Sequence, residues 1–300
     1  MSAPVRRVGV IGTGAMGGGV VQSLVRAGTE TTARDIRTDA QQLAVRHGAT
    51  PASTPAEVAA ACDAIVILVV DADQVDAVLF ADDGIVAAPS PAPVVLVSST
   101  VDPAYVTSLA RRLAAHGIAL LDAPVSGGPA KAAAGTMTMM ISGDAAALAR
   151  VQPVLERITG RLFALGPRAG DASTFKIVNN LLAAANLAAG AEALALAEAA
   201  GIDLRRVAEV VAASSGASWI FADRVQRALD GDFAPRAAAK MLSKDSGIAV
   251  ALADRFGVDA PLTRRAHAAF VAAIDAGCGE EDDAVVVRLA LESVRRKRGA

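Results

Sequence analysis

The chain has 300 residues and a nearly balanced charge, with 29 Lys and Arg residues against 31 Asp and Glu residues. This balance argues against a nucleic-acid-binding protein, which normally carries a basic patch or stripe. Hydrophobic residues make up 53% of the sequence, so the chain is too apolar to be disordered and can bury a large core. The length favours two domains.

The two cysteines, Cys62 and Cys278, lie far apart without metal-ligand spacing, which argues against a disulfide scaffold and a zinc site. Residues 1–7 lead into a strand-like run and show no signal-peptide pattern, so we expect a cytoplasmic protein without a bound metal. Lysine is scarce, and most cations of this chain are arginines. The five lysines are Lys131, Lys176, Lys240, Lys244 and Lys297.

The first half of the chain alternates short apolar runs with helical stretches. The predicted strands are Val5–Ile11, Thr31–Asp35, Ala64–Val70, Val94–Val97, Ile118–Asp122, Thr136–Ser142 and Arg161–Ala164. The helices predicted between them include Met16–Ala27, Ala104–Ala115 and Ala145–Ile158. Short apolar runs are typical of strands that are buried on both faces, and their alternation with helices predicts a mostly parallel, doubly wound sheet.

Strand signals end near Gly170, and the remainder is predicted to be helical, with breaks at Gly231, Pro235, 257–261 and 277–279. Ser173–Ala200 is one long segment rich in Ala and Leu. Lys, Asn and Glu residues interrupt it and alanine drives membrane insertion only weakly, so we predict no membrane contact. A soluble helix that is apolar on nearly all sides packs between domains or subunits.

A glycine motif, Gly12-Thr13-Gly14-Ala15-Met16-Gly17, follows the first predicted strand and opens the first helix. Its glycines allow a tight turn, approach of the backbone to a pyrophosphate, and close packing of helix on strand. The helix N-terminus adds free N–H groups. This context favours a dinucleotide site over an ordinary glycine turn. We therefore predict a Rossmann-type domain over residues 1–167 and an all-α substrate and dimerisation domain over residues 168–300, joined by the long interdomain helix.

Asp35 lies at the end of the second predicted strand, 18 positions after Gly17. A carboxylate at this place accepts hydrogen bonds from the ribose hydroxyls and repels a 2′-phosphate, which favours NAD over NADP. Arg34 and Arg37 leave NADP open as an alternative, because an arginine nearby can hold that phosphate. We interpret both arginines as solvated surface charges.

Three further features concern the substrate. Ser126-Gly127-Gly128 can form an anion nest for a carboxylate, although a glycine turn before another strand explains the same residues. Lys176 lies one helical turn before Asn180 and near Asn179, and a desolvated lysine has a lowered pKa that lets it accept a proton. A lysine that snorkels at a helix end is the alternative. Lys244-Asp245 follows a predicted helical stretch, Pro235–Ser243, and by itself indicates a surface pair.

Together these motifs resemble the β-hydroxyacid dehydrogenase family, almost from end to end of the chain. The matching segments are Gly12–Gly17, Asp122–Gly128, Gly170–Asn180 and Lys244-Asp245. The second half is most similar to the branch that acts on L-threonate and related sugar acids. The segments that carry this similarity are Ser218-Trp219, Pro235-Arg236, Lys244-Asp245 and Gly279–Ala284.

The resemblance implies a role for each matching residue. Lys176 is implied as the catalytic acid/base. The implied substrate-binding residues are Ser126, Gly127, Gly128, Asn179, Asn180 and Thr100. The implied cofactor-binding residues are Gly12, Gly14, Ala15, Met16, Gly17, Asp35, Val70, Thr100, Lys244 and Asp245. The resemblance also implies a homodimer or homotetramer that contacts the long helix.

The expected function is NAD-dependent oxidation of a small hydroxy acid, such as L-threonate or 3-hydroxyisobutyrate. Two alternatives stay open at this point: reduction of a small aldehyde acid such as tartronate semialdehyde, and a non-catalytic dinucleotide-binding protein. Imine reductases share the fold but lack the lysine, so Lys176 argues against them.

Overall fold

A computed structural model describes residues 5–88 and 93–299, and the chain divides into two compact units, Met1–Lys176 and Ile177–Ala300. The first unit is α/β and the second is helical, which confirms the predicted fold class. The division falls after residue 176 rather than after residue 167, because the start of the long helix is hydrogen-bonded into the first unit.

The first unit consists of a nine-stranded sheet with helices on both faces. Its strands are β1 (Arg7–Ile11), β2 (Glu30–Arg34), β3 (Thr50–Pro51), β4 (Ala64–Ile67), β5 (Val94–Val97), β6 (Leu120–Asp122), β7 (Val125–Ser126), β8 (Met137–Gly143) and β9 (Thr159–Ala164). Its helices are α1 (Ala15–Arg26), α2 (Thr38–Arg46), α3 (Pro55–Ala61), α4 (Ala72–Phe80), α5 (Pro103–Ala114), α6 (Gly128–Ala134) and α7 (Ala145–Ile158). A 3₁₀ turn covers Ile85–Ala87.

The strand order is β3-β2-β1-β4-β5-β6-β8-β7, with β9 paired to the other side of β8. The pairs from β3 to β6 are all parallel, and β8 runs antiparallel to β6 and β7. The direction of the strand order reverses between β1 and β4, and this reversal creates the crevice where such sheets bind ligands. Ile11 pairs with Ile67, Ile67 with Val97, and Val97 with Asp122, so these four strands end at one level.

The helices cover the sheet on both sides, which explains why its strands read as continuous apolar runs. In β4, Val66 packs into the core beneath α1 and α7, while Ile65 and Ile67 pack into the core beneath α3, α4 and α5. β5 divides its residues in the same way. Every residue of such a strand is buried, so no polar residue alternates with the apolar ones.

The second unit is an assembly of helices that continues from the long helix. Its helices are α8 (Asp171–Ala200), α9 (Leu204–Ala212), α10 (Trp219–Asp230), α11 (Ala239–Arg255), α12 (Pro261–Asp275) and α13 (Val285–Gly299). The breaks predicted near Gly231, 257–261 and 277–279 are confirmed. The prediction of a helix over Pro235–Ser243 is wrong in its bounds. The helix α11 begins only at Ala239, and Lys244-Asp245 lies inside it rather than after it.

Helix α8 is long and apolar enough to cross a membrane by length and composition, and it is the one such helix within the described ranges. The core helix of a soluble protein passes the same test. Its burial follows the helical repeat. The buried positions include Ser173, Lys176, Ile177, Asn180, Ala184, Leu187, Ala191 and Leu194. Phe175, Val178 and Leu182 lie on the opposite, exposed face.

Candidate active site

The glycine motif forms the turn from β1 into α1, at the crevice of the sheet. Gly12 has φ +87°, and a Cβ there would lie 2.6 Å from the carbonyl oxygen of Leu68 on the neighbouring strand connection. A Cβ on Gly17 would lie 1.9 Å from the carbonyl oxygen of Gly12. Both positions therefore require glycine. The turn brings the first N–H groups of α1 to the carboxyl edge, where they suit a pyrophosphate.

Asp35 directly follows β2 beside this turn and is almost fully buried. Its Oδ2 accepts a hydrogen bond of 2.7 Å from the Thr13 N–H, and its Oδ1 accepts one of 2.8 Å from the Arg37 N–H. The carboxylate thus fixes the glycine turn while its remaining lone pairs stay able to accept ribose hydroxyls. The Arg37 guanidinium lies 3.7 Å from Oδ1 and is largely exposed, as a surface cation would be.

Arg34 departs from the surface interpretation. It is half-buried and donates to Gln41 Oε1 at 3.2 Å and to the Asp35 carbonyl. Gln41 Oε1 also accepts from the Asp35 N–H. Arg34 therefore has a structural part in holding the end of β2 against α2.

The register of the sheet brings the other predicted residues of the first unit to the same edge. Val70 follows β4 and is partly exposed, Thr100 follows β5, and Ser126 follows β6 by four positions. The parallel pairing continues beyond the strands, because the Ser98 N–H donates to the Ile67 carbonyl and the Ala123 N–H to the Val97 carbonyl. The segments that lead to the predicted site residues therefore leave β1, β4, β5 and β6 at one edge of the sheet.

The Ser126-Gly127-Gly128 segment leads into a helix, which corrects the alternative of a turn before another strand. Ser126 closes the short strand β7, and α6 begins at Gly128. Gly127 and Gly128 have φ values of +122° and +77°, which only glycine adopts readily. A Cβ on Gly128 would meet nothing within 4 Å, so one side of this backbone is open. A backbone of this kind at a helix start suits a carboxylate.

Gly19 is a residue that the motif does not explain. A Cβ at this position would lie 2.8 Å from the Ala133 nitrogen and 3.0 Å from the Pro129 carbonyl oxygen in α6. Gly19 therefore lets α1 and α6, the helices that begin at the two predicted anion sites, pack against each other. The run of three glycines, Gly17–Gly19, is the signal that could have revealed this contact.

Lys176 lies near the start of α8 and is 8% exposed. The helix start is bound to the carboxyl edge of the sheet through Asp122, the last residue of β6. The Asp122 Oδ2 accepts a hydrogen bond of 2.9 Å from the Gly170 N–H and one of 2.8 Å from the Ser173 N–H. Ser173 Oγ donates to Oδ1 at 2.7 Å. Lys176 therefore lies within one helical turn of the edge that carries Ser126.

In the second unit, four predicted residues form one chain of contacts. Asn179 Nδ2 donates to Asn180 Oδ1 at 3.0 Å, and Asn180 Nδ2 donates to Asp245 Oδ2 at 2.6 Å. Lys244 Nζ pairs with Asp245 Oδ1 at 2.7 Å. The predicted substrate amide and the predicted cofactor pair are thus in direct contact. Asp245 is buried and Lys244 partly buried, so the pair is not the solvated surface feature that its local pattern indicates.

A glycine turn at the crevice of a doubly wound sheet, followed by a helical unit, defines a dinucleotide-binding enzyme class. Residues 7–166 match the family described as the NAD binding domain of 6-phosphogluconate dehydrogenase. Residues 170–290 match the family described as NAD-binding of NADP-dependent 3-hydroxyisobutyrate dehydrogenase.

Individual proteins match over nearly the full chain. An L-threonate dehydrogenase from Cupriavidus necator is 44% identical over 284 residues, covering 95% of this chain and 96% of that protein. A 3-hydroxyisobutyrate dehydrogenase from Pseudomonas aeruginosa is 31% identical and covers 85% of this chain and 88% of its own length. The crystal structure of a 3-hydroxyisobutyrate dehydrogenase from Salmonella typhimurium is similar with a TM-score of 0.88 at 41% identity, covering 94% of this chain and 99% of that one.

The chain belongs to the β-hydroxyacid dehydrogenase family, which confirms the resemblance seen in its motifs. It is an NAD(P)-dependent oxidoreductase of small hydroxy acids.

Proposed function

We propose that this enzyme oxidises a small sugar-type hydroxy acid such as L-threonate, with NAD as the preferred cofactor and Lys176 as the acid/base. The observation that carries the proposal is Lys176 itself. It is one of only five lysines and is nine-tenths buried, and the helix that carries it starts from the carboxyl edge of the sheet. Lysine is almost never buried to this extent without a specific reason.

The proposed chemistry follows from the residues at that edge. The Ser126 hydroxyl and the backbone of Gly127 and Gly128 bind the substrate carboxylate, and Thr100 lies at the same edge beside it. The Lys176 amine, in its neutral form, accepts the proton of the substrate hydroxyl at Nζ. NAD, when bound, accepts the hydride. In the reverse direction the Lys176 ammonium returns the proton to the alkoxide oxygen. Such acid/base assistance supplies roughly a 10²–10⁴-fold rate increase.

The glycine turn fits a dinucleotide, since Gly12 and Gly17 leave no room for a side chain and, within the described residues, no capping side chain occupies the first N–H groups of α1. Its contacts would come from Gly12, Gly14, Ala15, Met16 and Gly17, with Val70 at the neighbouring strand end. Asp35 supports NAD, because a buried carboxylate repels a 2′-phosphate. The family resemblance assigns Lys244 and Asp245 to the cofactor and Asn179 and Asn180 to the substrate.

The preference for L-threonate rests on the relatives. The relative at 44% identity is an L-threonate dehydrogenase, and the one at 31% is a 3-hydroxyisobutyrate dehydrogenase. We therefore expect the largest kcat/KM for L-threonate in a panel that also contains D-glycerate and 3-hydroxyisobutyrate, assayed at 340 nm with NAD and with NADP. Faster turnover of tartronate semialdehyde with NADH would favour the reductase instead. Binding of NAD without turnover of any member would favour a non-catalytic protein.

The decisive variant is Lys176→Ala. We expect kcat to fall by roughly 10²–10⁴-fold while the Kd of NADH, measured by its fluorescence, stays close to that of the wild type. Lys176→Arg should be equally slow, because a guanidinium does not release its proton. The matched control is Lys240→Ala, since the Lys240 ammonium is partly exposed and pairs with Glu280 at 2.5 Å. Turnover of Lys176→Ala near the wild-type rate would contradict the assignment.

The exposed face of α8 supports a homodimer or homotetramer. Phe175, Val178 and Leu182 are each more than half exposed in the single chain and lie on one helix face. We expect light scattering to show a dimer or tetramer and Leu182→Glu to shift it towards the monomer. Leu43→Glu, at an exposed leucine in α2, is the control that should leave the assembly unchanged. A monomeric wild type would contradict this part of the proposal. The cytoplasmic location stays a prediction from the sequence.

A further inference from the structure

The start of α8 differs from the start of six other helices in the described part of the chain. Those six helices begin with a capping side chain of their own, which accepts a hydrogen bond from an N–H two or three residues further on. These capping residues are Thr54, Asp71, Asp102, Asp144, Asp203 and Ser218. α8 is preceded by Gly170, which has no side chain to supply such an acceptor. Its acceptor is the Asp122 carboxylate, 48 to 51 positions earlier in the chain.

Asp122 is completely buried, and its two oxygens receive hydrogen bonds from two elements besides its own. Gly170 and Ser173 donate three of them at 2.7–2.9 Å, and Ser142 Oγ from β8 lies 3.4 Å away. Ser142 Oγ in turn accepts from the Ala172 N–H at 3.0 Å. The first turn of α8 is therefore bound to the ends of two neighbouring strands. A local cap would satisfy the same N–H groups without attaching the helix to the sheet.

Two predicted functional groups extend from this attachment point. Ser126 follows Asp122 by four residues along the strand connection, and Lys176 follows Ser173 by three residues along the helix. Residues three apart on a helix are neighbours on its surface. The carboxylate thus joins the segment that would hold the substrate carboxylate to the segment that carries the lysine.

We propose that Asp122 is a positioning residue for Lys176: by binding the first turn of α8 to the end of β6, it sets the distance between the lysine amine and the Ser126–Gly128 backbone. This inference rests on the proposed role of Lys176. Hydrogen bonds of an ionised carboxylate to N–H and O–H groups are shorter and stronger than neutral ones, which suits a rigid attachment. Proton transfer is sensitive to this distance, because the base must lie within hydrogen-bond reach of the substrate hydroxyl.

The test variant is Asp122→Asn in the full-length enzyme. Asparagine keeps the volume but replaces one acceptor oxygen with an NH₂ group, which faces N–H donors. Because a displacement of about 1 Å can cost up to 10²-fold in rate, we expect kcat to fall by roughly 10- to 100-fold. The Kd of NADH should stay within about twofold of the wild type, because the glycine turn is on another strand. A general loss of structure would instead lower kcat and weaken NADH binding together.

Asp144→Asn is the matched control. Asp144 Oδ1 caps α7 in the same unit by accepting from the Ala147 N–H at 2.7 Å, but α7 carries no predicted site residue. Because asparagine caps a helix about as well as aspartate, we expect this variant to lower the Tm only slightly and to keep kcat within about twofold of the wild type. If Asp122→Asn behaves in the same way, Asp122 is only a structural cap and the inference is wrong.

A second variant tests the inference in case Asp122→Asn does not fold. Ser173→Ala removes one donor from the carboxylate and leaves both backbone hydrogen bonds, and we expect a several-fold lower kcat with an unchanged Kd for NADH. An unchanged kcat would overturn the inference.

Lys176→Ala separates the positioning role of Asp122 from the proposed function on which it rests. If that variant keeps its turnover, the proposed function fails, whereas an inactive Lys176→Ala beside a fully active Asp122→Asn and Ser173→Ala refutes the positioning role alone.

Discussion

The two ends of α8 satisfy the same requirement in opposite ways. At the N-terminal end, the buried Asp122 carboxylate accepts from the Gly170 and Ser173 N–H groups. At the C-terminal end, the exposed Arg298 guanidinium donates to the Glu198 carbonyl at 2.9 Å and to the Ala199 carbonyl. A helix leaves N–H groups unsatisfied at its start and C=O groups at its end, and its dipole favours an anion at the start and a cation at the end.

The difference lies in burial. Asp122 is excluded from water and lies on β6 beside Ser142 of β8, so movement of this end of the helix breaks several hydrogen bonds at once. Arg298 and its neighbour Arg295, which pairs with Glu198 at 2.8 Å, are exposed and compete with water. The rigid end is the one that carries Lys176. The comparison indicates that buried hydrogen bonds hold the helix where chemistry is proposed, whereas exposed contacts that compete with water cap it where none is.

The largest expected effect comes from the glycines that flank the helix. Gly170 has φ +100°, and a Cβ there would lie 2.6 Å from Thr107 Oγ1 and 2.7 Å from the Pro103 carbonyl oxygen. Gly201 has φ +74°, with nothing within 4 Å. We expect Gly170→Ala to lower the free energy of unfolding by about 3 kcal/mol or more, and Gly201→Ala by about 1 kcal/mol. Urea denaturation measures both. Equal losses would contradict the difference between the two ends.

The sequence predicts the sheet well because its strands are buried on both faces. Val94–Val97 matches the observed strand in full, and Ala64–Ile67 lies within a predicted run. The two-residue strands β3 and β7 escaped prediction, since two residues show no periodicity. They owe their pairing to neighbouring strands rather than to their own composition.

The candidate site divides in a similar way. The glycine motif and Asp35 are predictable because their spacing along the chain reflects one turn and one strand. The attachment of α8 to Asp122 joins residues about 50 positions apart, and the contact between Asn180 and Asp245 joins residues 65 apart. No local pattern encodes such pairs, because each side chain alone looks like an ordinary polar residue. Their partners become known only when the fold brings them together.

A smaller effect concerns pH. Burial raises the pKa of Asp122 above its ordinary 3.8, although hydrogen bonds from Ser173 and Gly170 oppose the shift. The hydrogen bond from Arg295 lowers the pKa of Glu198 below its ordinary 4.5. As the pH rises above 3.8, the unfolded chain loses the Asp122 proton before the folded protein does, so this carboxyl makes folding less favourable. The Glu198 contribution has the opposite sign, being complete above 4.5 and lost as the pH falls through its folded pKa.

Unfolding free energies measured from about pH 3 to pH 7 would test these opposite signs, because the Glu198 effect falls below pH 4.5 and the Asp122 effect above pH 3.8. The stability of the wild type relative to Asp122→Asn should fall as the pH rises above 3.8, and its stability relative to Glu198→Gln should rise with pH up to about 4.5 and then stay level. Added salt should weaken only the Glu198 effect, because exposed charges are screened and buried ones much less so. Slopes of the same sign for both variants would show that burial does not distinguish the two ends.

The smallest effect is expected at the exposed cap. Arg298→Ala removes the donors to two carbonyl groups that water can replace, so we expect a loss of about 0.5 kcal/mol in the free energy of unfolding. Arg298→Lys keeps the charge near the helix end without the planar fork, and should lose less. Neither change should alter kcat, because the C-terminal end carries no predicted site residue. A fall in kcat comparable to that of Asp122→Asn would mean that displacement at one end of α8 is transmitted along 30 residues to Lys176, and the two ends would then act as one mechanical element.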